Sequence, residues 1–222
     1  MEIILLQNQT IETLKIIDLI RSGGVVCDII MIVLGILSIF SIYYLSEKLI
    51  ALKNTSKEDP EFIIQLNKLI SEGDTNQALS LCENNNTPLS RMLEKGVIRL
   101  DSPLNEIYSS IENQGKLEVS ILEKNLTNLA TISGAAPMIG FLGTVIGMII
   151  AFFNMSKAGG NIEVGILSEG IYTAMITTVA GLIVGIVSYI SYNFLLSKID
   201  NIVFELEKST TKFIDNVHKI SK

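Results

Sequence analysis

The sequence predicts an all-α membrane protein with three transmembrane helices and long helices that extend into a cytoplasmic helical domain. Hydrophobic residues make up 48% of the 222 residues and charged residues only 18%, a balance that is unusual for a soluble domain of this size. Uncharged runs extend over 18 residues from Ile29 to Ser46, 32 from Asn125 to Ser156 and 28 from Gly170 to Ser197. The second and third runs are long enough to cross a bilayer as helices.

The first run reaches spanning length when it is extended outward to Val25 across the single carboxylate of Asp28, which gives 21 residues up to Leu45. Polar residues interrupt the short apolar stretch that follows Glu2, so we expect no cleavable signal peptide. The predicted segments are a periplasmic N-terminal segment (1–24), transmembrane helix 1 (25–45), a cytoplasmic helical domain (46–129), transmembrane helix 2 (130–153), a periplasmic loop (154–169), transmembrane helix 3 (170–197) and a cytoplasmic amphipathic helix (198–222).

The basic residues near the span ends predict the orientation, because Lys and Arg resist translocation. Eight lysines flank one side: Lys48, Lys53, Lys57, Lys116, Lys124, Lys198, Lys208 and Lys212. Three basic residues flank the other: Lys15, Arg21 and Lys157. We therefore predict a periplasmic N-terminus and a cytoplasmic C-terminus.

The cytoplasmic segment predicts several helices. Apolar residues at helical spacing indicate a helix around 62–70, a turn at 71–74, a second helix that ends near 84–88 and a third around 92–100. Ser102 is expected to cap the next helix, with Pro103 at its first position. No breaker then occurs before Pro137, so we predict one helix from about Pro103 to about Phe153.

The tail at 198–222 is amphipathic, and its polar face carries both acidic and basic residues. A helix that lies on anionic lipid would carry a lysine-rich face instead. We therefore expect the tail to pack on the inner domain of its own chain or on neighbouring copies.

Composition also excludes several functions. A net charge of −6 leaves no basic surface for nucleic acid. Cys27 and Cys82 lack any ligand spacing, and the chain has neither the catalytic motifs of hydrolases nor a phosphate-binding loop. We expect no enzyme activity, metal site or cofactor.

Two stripes of small and polar residues run along the second and third spans at helical spacing. On the second span the stripe contains Ser133, Pro137, Gly140, Thr144, Gly147, Ala151 and Asn154. On the third it contains Ala174, Thr178, Gly181, Gly185 and Ser188, with Thr173 and Thr177 at its edge.

These stripes allow two interpretations. They are suited to close helix packing, since Gly143 to Gly147 and Gly181 to Gly185 have GxxxG spacing. They also place hydroxyl groups near the middle of the bilayer, where such groups can replace water along an ion pathway. No ionisable residue lies in either stripe, so a proton-driven device would need a titrating group from a partner.

The two stripes lie in recognisable motifs. The stretch AAPMIGFLGTVIGMIIAF (135–152) resembles the A-P-x-x-G-L-L-G-T-V-x-G-M segment of the ExbB, TolQ and MotA proton-channel family. The stretch GIYTAMITTVAGL (170–182) resembles that family's G-I-x-E-A-L-x-x-T-A-x-G-L segment. Three spans are similar to the ExbB or TolQ layout, whereas MotA-type stators have a fourth.

The resemblance implies a homopentameric ring around single-span subunits similar to ExbD or TolR, which supply the membrane aspartate that binds protons. It implies an ion-conducting stator in the bacterial inner membrane that drives a TonB-like energy transducer for outer-membrane transport. A TolQ-like role with TolA, or a non-conducting membrane scaffold, remains as an alternative. Neither the client nor the choice between H⁺ and Na⁺ follows from the sequence.

By position in the motifs, Thr144 and Thr178 match the family's pore threonines, and Thr177 lies beside them. Thr173 stands where ExbB often carries a glutamate. Two interpretations of Thr173 stay open: its hydroxyl lines the pore, or it is a packing residue and Glu169, one turn nearer the outer side, supplies an acid at the outer mouth. Glu169 is also explained as a first-turn carboxylate that favours the helix dipole.

Overall fold

A computed structural model describes residues 24–55, 60–157 and 164–220, and nearly all of these are helical. The helices are α1 (Gly24–Thr55), α2 (Pro60–Ser71), α3 (Thr75–Asn85), α4 (Pro88–Val97), α5 (Leu104–Glu123), α6 (Leu126–Lys157) and α7 (Val164–Ile220). Three stretches are long and apolar enough to cross a membrane: Val25–Lys53, Leu126–Lys157 and Gly170–Lys219. The prediction of an all-α protein with three candidate spans is confirmed within the described part of the chain.

The chain divides into two compact units. The membrane unit contains, among the described residues, 24–41 of α1, 131–157 of α6 and 164–188 of α7. Many of its large apolar side chains point outward, including Ile32, Phe141 and Ile183. Such exposure is expected of a lipid-facing surface, because acyl chains solvate these side chains as well as a protein interior does.

The helical unit comprises the described residues of 42–130 and 189–222. One of its cores joins α2, α3, α4 and α5 to the tail of α7 and contains Leu66, Leu93, Ile111 and Phe213, each fully buried. The expectation that the tail packs on the inner domain of its own chain is thereby confirmed, because Leu206, Phe213 and Val217 are core residues.

Local capping explains where the short helices begin. The Asp74 carboxylate accepts a hydrogen bond from the Gln77 amide at 3.0 Å and caps α3. Thr87 and Ser90 form a reciprocal capping box at the start of α4. The predicted turn at 71–74 and the predicted end near 84–88 are confirmed by these boundaries.

Two predictions about α5 and α6 were wrong. The single helix from Pro103 to Phe153 is interrupted at Lys124 and Asn125, where Asn125 has φ 71°. Asparagine adopts this left-handed conformation more readily than most residues. Ser102 does not cap α5, since Pro103 occupies the cap position and no side chain supplies a capping bond.

The other predicted segments differ in smaller ways. The loop 154–169 is helical at both ends, since α6 continues to Lys157 and α7 begins at Val164. The third span and the tail, predicted as 170–197 and 198–222, belong to one helix. The N-terminal segment 1–24 lies outside the described residues except for Gly24.

Candidate ion pathway in the membrane hairpin

Helices α6 and α7 approach each other backbone to backbone in the membrane unit. A Cβ atom built on Gly140 would lie 2.7 Å from the carbonyl oxygen of Thr177 and 3.0 Å from the Cα of Gly181. A Cβ on Gly181 would lie 2.6 Å from the carbonyl oxygen of Ala136. No side chain fits at either position without separation of the helices.

The other small residues of the two stripes extend this contact. A Cβ on Gly147 would lie 2.7 Å from the Ala174 Cβ, and one on Gly143 would overlap the Thr177 side chain. Gly185 similarly faces the Pro137 ring. The structure therefore brings together all seven residues predicted for the packing or pore face: Pro137, Gly140, Gly143, Gly147, Ala174, Gly181 and Gly185.

A pair of half-buried threonines bridges the hairpin at its closest approach. The Thr178 hydroxyl lies 3.0 Å from the Gly140 carbonyl oxygen and 3.3 Å from the Thr144 hydroxyl. The Thr144 hydroxyl donates to the Phe141 carbonyl at 2.6 Å. Because a hydroxyl both donates and accepts, the two side chains form a short hydrogen-bonded chain with one end on the backbone.

The other two predicted pathway threonines are enclosed within the single chain. Thr177 is 1% exposed, and its hydroxyl lies 2.7 Å from the Ala174 carbonyl oxygen and 3.2 Å from that of Gly140. Thr173 is 3% exposed. Both are therefore buried within the single chain, whereas Thr144 and Thr178 are half-buried. The side chain of Glu169 lies outside the described residues, so its placement at an outer mouth stays a prediction.

Ser188 and Ser41 form a second hydroxyl pair in the membrane unit, which the sequence analysis did not predict. The hydroxyl oxygens of the fully buried Ser188 and of Ser41 lie 2.8 Å apart, and their hydrogen bond connects α7 to α1. Ser188 lies on the predicted small stripe, but the sequence offers no pairing signal beyond a serine in each of two apolar spans.

The helical unit contains an ion pair with a buried carboxylate that sequence analysis missed. Arg91 holds both carboxylate oxygens of Glu118, at 2.8 and 2.6 Å, and Gln114 donates to the same carboxylate at 2.8 Å. Burial acts to raise the pKa of Glu118, but these hydrogen bonds and the Arg91 charge hold the pKa below its ordinary value. The hydrogen bond to Glu118 in turn raises the pKa of Arg91.

A signal for Glu118 was present in the sequence. Ile107, Ile111, Glu118 and Leu122 are all buried and recur at helical spacing, so the carboxylate lies within an apolar stripe. A charge at such a position requires a partner.

Cys82 is a buried core thiol. Burial raises its pKa to about 12, which keeps the thiol protonated and unreactive.

Comparison with known proteins shows the family of this chain. The sequence profile of the MotA/TolQ/ExbB proton channel family matches residues 84–208, which include α6 and the part of α7 that lies in the membrane unit. The chain belongs to this family. It is a multi-pass membrane protein of the proton-channel type. The family consists of channel and transport components rather than enzymes.

Individual relatives carry the ExbB name. A putative biopolymer transport protein ExbB homolog from Methanothermobacter thermautotrophicus is 29% identical over 209 residues, which cover 93% of this chain and 72% of that protein. The biopolymer transport protein ExbB of Helicobacter pylori is 42% identical over 79 residues, 36% of this chain and 54% of its own length. The ExbB of Aquifex aeolicus is 34% identical over 107 residues, 48% of this chain and 71% of its own length.

Proposed function

We propose that this protein is the ion-conducting stator subunit of an ExbB–ExbD-like motor, which converts the proton motive force into mechanical work for TonB-dependent outer-membrane transport. The observation that carries the proposal is the Thr178–Thr144 hydroxyl chain, half-buried on the α6–α7 hairpin of a proton-channel family member. Hydroxyl groups at this depth can stand in for water around a moving proton.

The motor is a homopentameric ring in the inner membrane, with the N-terminus periplasmic and the C-terminus cytoplasmic. An ExbD- or TolR-like single-span partner carries the titrating aspartate, since neither stripe on this chain contains an ionisable residue. A charged carboxylate costs at least about 2.5 kcal/mol at the centre of a bilayer helix. Protonation removes this cost and lets the partner's side chain move within the ring.

We assign the threonines different roles, which their hydrogen bonds and burial support. Thr178 donates either to the Gly140 carbonyl or to the Thr144 hydroxyl, so its rotation changes which oxygen accepts its hydrogen bond. Thr144 and Thr178 face the ion, whereas Thr177 fixes the helix contact from within. Thr173 supports this surface from below, and Glu169 is the candidate acid at the outer mouth.

The test replaces the Thr178 hydroxyl while keeping the side-chain shape. The complex with its single-span partner is reconstituted in vesicles, and proton flux under an imposed potential is measured for the wild type, Thr178→Val and Thr178→Ser. We expect the valine variant to lose about 100-fold or more, the scale contributed by a positioned proton-transfer group. The serine variant retains the hydroxyl and keeps most of the flux. Wild-type flux in an assembled valine variant would reject the pore role of Thr178.

A scaffold that conducts no ions is the second candidate, because every predicted glycine of the two stripes contacts the opposite hairpin helix. Packing alone would account for those glycines. The same vesicles separate the candidates: an assembled wild-type complex with flux no higher than in protein-free vesicles favours the scaffold.

A further inference from the structure

Lys48 is a buried lysine that forms no ion pair within residues 24–55, 60–157 and 164–220. Its side chain belongs to a residue that is 7% exposed, and its ammonium nitrogen lies 3.0 Å from the Leu122 carbonyl oxygen and 3.4 Å from that of Ile121. These carbonyls belong to the last turn of α5, which favours a cation. None of the ion pairs in the described part of the chain includes Lys48. Its ammonium group therefore contacts peptide carbonyls directly, and the carboxylate of Glu47 attracts it without forming an ion pair.

Lys48 forms part of the wall of a cleft of about 460 Å³ within the helical unit. This volume lies in the range of roughly 300–1,000 Å³ that ligand pockets occupy. The charged side chains on its walls are Glu47, Lys48, Arg91, Glu118 and Lys124. Arg91 and Glu118 neutralise each other, which leaves two lysines against the single exposed carboxylate of Glu47. The cleft therefore favours an anion.

The position of the two lysines in the sequence indicates which anion. Lys48 lies five residues before the end of the first candidate span, Val25–Lys53, and Lys124 lies two residues before the second begins at Leu126. Basic side chains at span ends lie at the level of the lipid headgroups. Leu52 and Leu122 add apolar surface to the same cleft.

We propose that this cleft binds the phosphate group of an anionic phospholipid, with Lys48 at its base and Lys124 at its rim. The phosphate supplies the negatively charged partner with which Lys48 can form an ion pair. The adjacent apolar side chains contact the start of the acyl chains. Basic pockets beside membrane helices bind acidic headgroups in this way. This site is independent of the proton pathway, because none of its residues belongs to the hairpin stripes.

The test measures lipid retention by the full chain. The protein is purified in detergent and incubated with phosphatidylglycerol or with the zwitterionic phosphatidylcholine, and retained lipid per chain is counted by native mass spectrometry. Lys124→Gln is the main variant, because Lys124 is exposed and we expect a substitution at an exposed position to leave the fold intact. Lys53→Gln is the matched control, since Lys53 is an exposed lysine of α1 that does not form part of the cleft.

We expect the wild type to retain more phosphatidylglycerol than phosphatidylcholine. Lys124→Gln should weaken the binding of phosphatidylglycerol about five-fold, which is the effect expected of one basic residue near an anionic headgroup. Lys53→Gln should leave this binding unchanged. Lys124→Arg should restore binding. Equal retention of both lipids, or equal losses in both glutamine variants, would overturn the site. Inorganic phosphate that raises the thermal unfolding temperature as much as the lipid does would overturn the lipid assignment in favour of a free anion.

Discussion

At the scale of single residues, the most consequential charge outside the membrane unit is Glu118. Its side chain is 2% exposed, whereas that of Arg91 is 36% exposed. Arg91→Met should therefore destabilise the chain by about 3–5 kcal/mol, because it leaves a buried carboxylate without its partner. Chemical unfolding of the full chain in detergent measures this loss. In Arg91→Met with Glu118→Gln, most of it should be recovered, since no unpaired charge remains.

The same pair predicts a pH dependence with a defined sign. The pKa of Glu118 is lower in the folded chain than the ordinary value of about 4.3. Its stabilising contribution is therefore complete above the ordinary pKa and is lost as pH falls through the lowered one. The free energy of unfolding, measured from pH 7 down to pH 3, should fall with pH in the wild type. It should fall less in Glu118→Gln, which lacks this carboxylate. Identical pH profiles would contradict the assignment.

Side-chain chemistry was predictable from the sequence only where a motif carried it. Thr144 and Thr178 stand at motif positions, and their mutual contact follows once two helices form a hairpin. The burial of Thr177 was not predictable, because a rotation by a fraction of a turn about the helix axis decides whether a residue at the edge of a stripe faces the neighbouring helix or the surface. Lys48 and Arg91 were missed because their partners lie far away in the sequence.

At the scale of elements, the α6–α7 contact depends on the absence of side chains. In Gly140→Ala, the new methyl group meets backbone atoms of Thr177, Thr178 and Gly181, none of which can rotate away. Overpacking of this kind costs about 1–3 kcal/mol. Unfolding in a denaturing detergent series, followed by circular dichroism, should show a loss of that size.

Gly134→Ala on the same helix is the matched control. No neighbouring atom lies within 4 Å of a Cβ at Gly134, so the substitution should be neutral or stabilising by up to about 1 kcal/mol through helix propensity. Equal destabilisation by the two alanines would show that the close approach at Gly140 contributes nothing specific.

The break between α5 and α6 shows what element prediction lacked. Neither glycine nor proline marks the site, and asparagine is a weak breaker by itself. The tertiary structure supplies the missing cause: Lys48 of α1 caps the last carbonyls of α5, and Leu126 and Leu129 of α6 pack with Leu52 and Leu195. A local pattern contains neither contact.

At the scale of the whole molecule, the number of spans was predictable because bilayer thickness sets a minimum length for an apolar helix. Assembly was not, since a ring depends on surfaces that one chain leaves exposed. Outside the apolar spans, Leu117 and Ile121 of α5 are 60% and 59% exposed and lie one helical turn apart. Exposed apolar pairs of this kind indicate contact with another molecule.

We expect these two side chains to be buried between copies in the proposed ring. A leucine or isoleucine contributes about 1.5–3 kcal/mol when fully buried, so Leu117→Ser with Ile121→Ser should shift the full chain from five-copy rings to smaller species. Native mass spectrometry of the chain coexpressed with an ExbD-like partner measures this distribution. Asn113→Ser, an exposed polar change one turn from Leu117, is the control and should preserve the ring. Intact five-copy rings in the double variant would exclude this surface from the subunit interface, whereas a wild type without five-copy rings would remove the pentamer itself.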